Sequence, residues 1–341
     1  ILHFRYGKRA ERNPWKADSL EWSIRSPVPP YNFISIPPVE SRDPLWEQDH
    51  LVRDMERGAF FLSNPRSGQR ETLGTSIRDA QPEQVIRLSK STWIPLITAL
   101  TTALFFVGFL IKVYAVAALG VVLTVIAFLV WLWTTGDRFA PDRIDAGGGL
   151  VLPMQAASPQ APGWWGLVIA LLADASLFAS LVFGYFFLWN TAAVWPPSGY
   201  GLEGLELSLL GAGMLLVSSL AMQWAATGNH QGRLVRFHAG LLIALLLGLV
   251  FIAIQVLIFL KYPVSPQEHA YASVVYTLAG FHLVHVVIAL LMNGFIQARS
   301  WYDYVSEYRP LEARITATFW HYMVGQGLVG FGVIHLFPLI A

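Results

Sequence analysis

The chain has 341 residues, of which 55% are hydrophobic and only 13% charged, with a mean hydropathy of +0.49. With a net charge of +1 nothing suggests nucleic-acid binding, and the absence of Cys excludes disulfides, thiolate metal sites and a Cys nucleophile. Of the 23 Lys and Arg, 14 lie before residue 93. A polar front therefore precedes a nearly uncharged remainder, which reads as a membrane domain.

The opening residues, ILHFRYGKRAERNPWK, lack an initiator Met and a signal-peptide layout. They are expected to belong to a longer product, cut or processed. Residues 1–48 include NPWKADSLEWSIRSPVPPYNFISIPP, rich in Pro and Trp and without a sustained period. They read as an extended arm along a partner surface, although a disordered tail fits the same composition. Residues 49–92 read as a polar linker.

A helix needs roughly 20 apolar residues to cross the hydrocarbon core. Seven segments qualify: 93–111, 114–134, 164–189, 205–226, 239–260, 271–297 and 315–339. The runs are continuously apolar, without the alternation of barrel strands, so the expected fold is an all-α membrane protein with seven transmembrane helices. The first two, within 93–135, meet around Lys112 in a tight hairpin. The Gly/Pro/Ala-rich stretch 136–162 is expected to link this hairpin to a five-helix bundle over 163–341. With residues 1–92 cytoplasmic, Arg138, Arg143, Arg233, Arg236, Arg299, Arg309 and Arg314 fall in cytoplasmic loops, and only Lys112 and Lys261 fall opposite. The positive-inside rule thus puts the N-terminus in the cytoplasm and the C-terminus outside. Trp164, Trp165, Trp195, Tyr262, Trp301 and Tyr302 sit near span ends, as interfacial aromatics do.

One carboxylate, Asp174, sits at bilayer depth, in WWGLVIALLADASLFASLVFGYFFLW. It is about eleven residues, or roughly 16 Å, into its span. Such a residue is expensive in lipid, so it is expected to face the bundle interior, paired and neutral. His282 and His285 lie three residues apart at matching depth in an antiparallel span, GFHLVHVVIAL. A metal would need a third and fourth ligand; His321 lies nearer one edge, and no Cys or second acid is at hand. A buried Asp–His hydrogen-bonded pair is the better reading. Gln255, mid-span, is expected to make an interhelical hydrogen bond. Gly325-Gln-Gly-Leu-Val-Gly330 matches GxGxxG, but mid-helix, where close packing explains the glycines better than a dinucleotide does.

With these residues in view, the chain resembles subunit III of haem-copper terminal oxidases over about 163–341. The matching pieces are LLADASLFASLVFGYFFL, WPPSG, LLGAGMLLVSSLAM, LGLVFIAIQ, YTLAGFHLVHVVIAL and TFWHYMVGQG. The front, NPWKADSLEWSIRSPVPPYNF, resembles the cytoplasmic tail of cytochrome c oxidase subunit I. ETLGTSIRDAQPEQVIRL resembles the joint where subunits I and III are fused. The family usually has Glu where Asp174 stands. Val324 and Gly327 replace the acid and Trp that often follow its WHF-type element, and the first hairpin diverges from the family's first two helices.

The resemblance implies a non-redox part of a proton-pumping cytochrome c oxidase in a bacterial-type plasma membrane. Such a part stabilises the catalytic subunit and binds phospholipid. Haem and copper would be held by the partner subunit I rather than by this chain, with subunit II as a further partner. Asp174, His282 and His285 would form its polar core, and Trp195, Trp320 and His321 would be candidates for lipid contact. A proton-coupled transporter carrying its proton on Asp174 is the alternative, although no inverted repeat or paired broken helices accompany it.

Overall fold

The computed structural model describes residues 6–8, 10–29, 32–63, 71–88, 91–135, 142–197, 205–261 and 265–340. Tyr262, Arg138 and the Ser198-Gly199 end of WPPSG lie outside the described residues. The chain divides into two compact units, Ile1–Ser158 and Pro159–Ala341.

In the first unit the polar front packs against itself. After a 3₁₀ turn at Leu20–Ser23 come two short helices, α1 (Pro44–Glu47) and α2 (Leu51–Glu56). Arg12 and Arg25 both reach Glu56, Ser35 Oγ donates to the Met55 carbonyl at 2.9 Å, and Ile36 bridges Phe61. Parts of the stretch 1–48 are thus held to residues 55–61 of the same chain. Its apolar anchors are too few and too widely spaced to show a period.

The segments read as linkers carry strands. β1 (Glu71–Thr75) pairs antiparallel with β2 (Pro82–Arg87), and β3 (Arg143–Asp145) pairs antiparallel with β4 (Val151–Pro153). A parallel bridge from Val85 to Met154 joins the two ribbons. Between them lies a small core of Leu62, Val85, Ile144, Ala146, Leu152 and Met154. Arg87 and its direct cross-strand partner Glu71 form a buried ion pair at 3.0 Å.

Between β2 and β3 run α3 (Ile94–Leu110) and α4 (Tyr114–Thr135), joined by a turn in which Lys112 takes φ 59°. A Cβ on Gly108 would strike the Ala117 backbone, and one on Gly120 the Phe105 backbone, so the two helices meet main chain to main chain. With 17 residues, α3 is about 25 Å long, short of the ~30 Å hydrocarbon core. Among the described residues, six helices rather than seven are long and apolar enough to span. The tight turn after Leu110 cuts the remaining one short.

The second unit is helical: α5 (Pro162–Thr191), α6 (Leu205–His230), α7 (Leu234–Lys261), α8 (Ala270–Trp301) and α9 (Leu311–Phe331). From Gly332 to Leu336, α9 widens into a π-helical turn. The sharp α6–α7 connection places Gly232 at φ +67°. Leu215, Met222, Phe237, Leu241, Val286, Trp320 and Met323 fill the centre. α5 lies at the margin and buries one stripe, containing Phe178 and Tyr185, against α8 and α9.

Candidate functional site

Asp174 falls four residues before Phe178 and eleven before Tyr185, so helical geometry places all three on the stripe of α5 that faces the bundle. There its carboxylate meets two other helices. Oδ1 lies 3.0 Å from His285 Nε2 on α8. Oδ2 accepts from the Tyr322 hydroxyl at 2.6 Å and from Gln326 Nε2 at 3.2 Å. Tyr322 and Gln326 are one turn apart on α9, so both present to the same point.

The other face of the imidazole settles where one proton sits. His285 Nδ1 lies 2.8 Å from the Phe281 carbonyl, and a carbonyl can only accept, so Nδ1 carries hydrogen. Oδ2 already receives two donors. One proton therefore lies on the Oδ1–Nε2 line, on either atom, and the pair carries no net charge in both arrangements. That suits a site lined by Phe281 and Phe319, whose rings lie 4.6 and 6.2 Å from the imidazole.

His282 goes elsewhere. Its Nε2 donates to the Met323 carbonyl at 3.2 Å, and its ring stands edge-on to Phe251 at 5.3 Å. Three residues along a helix leave about 60° between side chains. That is enough to send His285 to α5 and His282 to the seam of α7 and α9. Gly327 makes room for it: a Cβ there would lie 2.5 Å from His282 Nε2. Gly325, Gly330 and Gly332 have open space instead, so of the four glycines Gly327 is the one in close packing.

His321 binds α6 rather than the acid. Ser219 Oγ lies 2.6 Å from Nδ1, and Nε2 donates to Gln223 Oε1 at 3.1 Å. Trp320 is 0% exposed and donates to Ser218 Oγ at 3.0 Å, so it stands inside the core rather than at a lipid face. Trp195 donates to the Tyr185 hydroxyl at 3.0 Å and meets Tyr271 edge-on. Gln255 lines a cavity between α6, α7, α8 and α9. Among the described residues no three His, Asp or Glu side chains converge as a metal site requires.

Sequence reasoning missed Tyr322 and Gln326. The signal was partial: two polar residues at i and i+4 share one helix face, with Gln326 near the depth of Asp174 and Tyr322 one turn closer to the edge.

Comparison with known proteins adds an independent line. The family profile for cytochrome c oxidase subunit III matches residues 87–335. The match takes in the α3–α4 hairpin, which the sequence reading had set apart from the family's first helices. The subunit 3 of Drosophila yakuba is 25% identical over 165 residues, covering 47% of this chain and 63% of its own length. That of Artemia franciscana is 27% identical over 165 residues with the same two coverages, 47% and 63%. That of Petromyzon marinus is 26% identical over 171 residues, again covering 47% and 63%. The chain thus spans less than two thirds of the length of these relatives.

Proposed function

The chain belongs to the cytochrome c oxidase subunit III family, and from that premise we propose that it serves as a non-redox part of a proton-pumping terminal oxidase. In this role it braces the catalytic subunit, keeps phospholipid in place and leaves oxygen reduction to haem and copper held by subunit I, with subunit II alongside. The N-terminal front is the tail of a subunit I to which this chain was joined. The protein lies in a bacterial-type plasma membrane with its N-terminus in the cytoplasm.

The observation that carries the reading is the carboxylate clamp. Asp174 ties α5 to α8 and α9 through three hydrogen bonds, with no net charge left in the Asp–His pair. α5 buries little else, so the clamp is its main polar tether to the bundle. A fixed tether of this kind supports a bracing subunit better than a proton carrier, which must release its acid to two sides in turn.

The test is oxygen consumption by the assembled oxidase carrying Asp174→Ala. The initial rate stays near that of the parent, while activity is lost within far fewer turnovers. A variant enzyme that is inactive from the first turnover, or as durable as the parent, sinks the bracing role. Proton uptake into vesicles by this chain alone, abolished by Asp174→Ala, would favour the transporter.

A further inference from the structure

A partly open cavity of about 90 Å³ lies between α6, α7, α8 and α9, at the end of the second unit away from the α6–α7 turn. Its walls are mostly apolar, but Ser208, Gln255, Tyr276, His282 and His335 bring polar groups to it. Among the described residues, the buried Ser208 Oγ and His335 Nδ1 have no hydrogen-bond partner. Orphaned groups of this kind inside a membrane bundle are costly unless something supplies the missing bond.

Three further features point the same way. His335 stands on the π turn Gly332–Leu336, and such local widenings recur at functional sites. Gly330 is buried and lines the cavity, yet a Cβ built on it would meet nothing within 4 Å, so the chain leaves side-chain-sized space there. None of the lining residues is Asp, Glu, Lys or Arg. A phosphate or carboxylate head would enter without a countercharge, whereas an uncharged hydroxyl can both donate and accept. That versatility satisfies the serine hydroxyl and either tautomer of the histidine.

We infer that this cavity binds the hydroxyl head of an uncharged, single-chain lipid, with the chain leaving through the open side. The site is separate from the carboxylate clamp and from any phospholipid held on the outer surface of the bundle. It does not depend on the oxidase reading. Water is the competing occupant, since the volume would hold about three molecules.

The experiment uses the full chain in phosphatidylcholine nanodiscs with a photoreactive monoacylglycerol, and in parallel a photoreactive phosphatidylglycerol. The monoacylglycerol labels residues of the cavity wall in a saturable way and is displaced by unlabelled monoolein; the phospholipid does not label there. His335→Leu weakens half-maximal labelling about tenfold, equivalent to one lost hydrogen bond. Gly330→Leu fills the space and abolishes labelling, and Gly330→Ala, a milder filling, lowers it should the larger residue prevent folding. Equal labelling by the phospholipid, indifference to His335→Leu in a folded chain, or no saturable labelling because water alone fills the site would each overturn the inference. None of these readouts involves oxygen consumption, so failure here leaves the proposed function standing.

Discussion

Replacing Asp174 by Ala and by Asn separates two properties of the clamp, its hydrogen bonds and its charge. Ala removes the acceptor of three interhelical bonds, at 3.0, 2.6 and 3.2 Å. Interhelical bonds in membranes are worth about 0.6 kcal/mol on average and about 1.7 at most, so three give about 2–5 kcal/mol. Asn keeps the shape. Its oxygen accepts from Tyr322 and Gln326, while its amide donates to a neutral His285 whose Nδ1 hydrogen stays on the Phe281 carbonyl. If the native proton resides on the carboxyl, Asn is a close mimic and costs under about 1 kcal/mol. Unfolding of the full chain by SDS in mixed micelles, followed by tryptophan fluorescence, measures both. The expected order is parent close to Asn, with Ala well below. An Asn variant as unstable as Ala would put the shared proton on His285 rather than on the carboxyl, and an Ala variant as stable as the parent would refute the clamp.

Three other outcomes are expected. Gly327→Leu drives a side chain into His282 and Leu215 and should destabilise by about 1–3 kcal/mol in the same titration, whereas Gly325→Leu, which meets open space, should not. Gly108→Leu should force α3 from α4 at the Ala117 backbone, and cysteine crosslinking between the two helices should fall accordingly. Arg12 and Arg25 hold the Glu56 carboxyl below its usual range. A carboxylate lowered in the folded state contributes stability that is complete at neutral pH and lost as pH falls through the folded value. Protease cleavage of the front should therefore be constant near neutrality and rise only in acid below the ordinary carboxylate range. In Glu56→Gln that rise should be absent, and the effect is small because the pair is partly exposed.

The helices and the acid were legible because bilayer physics leaves strong marks: long apolar runs, and one carboxylate where carboxylates are rare. Depth alone brought Asp174 to the histidines. It could not choose between His282 and His285, since that choice rests on a 60° rotation and on Gly327, which reads as a packing glycine without saying what it packs against. Trp320 looked like a headgroup anchor because it neighbours His321 near a span end, but the helix turns it inward onto Ser218. The strands left almost no trace. β3 and β4 have three residues each, too short for alternation to show, and β2 finds its second neighbour only through Met154. Composition in such segments reports polarity and glycine content, and both are the same for a linker and for a small sheet.

The way α3 and α4 interrupt the sheet bears on the order in which the first unit can assemble. β2 runs parallel to β4 and β3 antiparallel to it, so Val85 and Arg143 both lie beside the Pro153–Met154 end. The polypeptide departs for the bilayer and comes back at one edge, about two strand spacings apart, or roughly 10 Å. Closing that edge from an open chain would carry the entropy of the whole intervening loop. Once α3 and α4 have zipped through Gly108 and Gly120, most of the loop is already ordered and its two ends are delivered side by side. The two ribbons are then expected to form last, on a template laid down by the helix pair. A chain made without a membrane should accumulate with its helices unpaired and its β3–β4 ribbon unattached to β2.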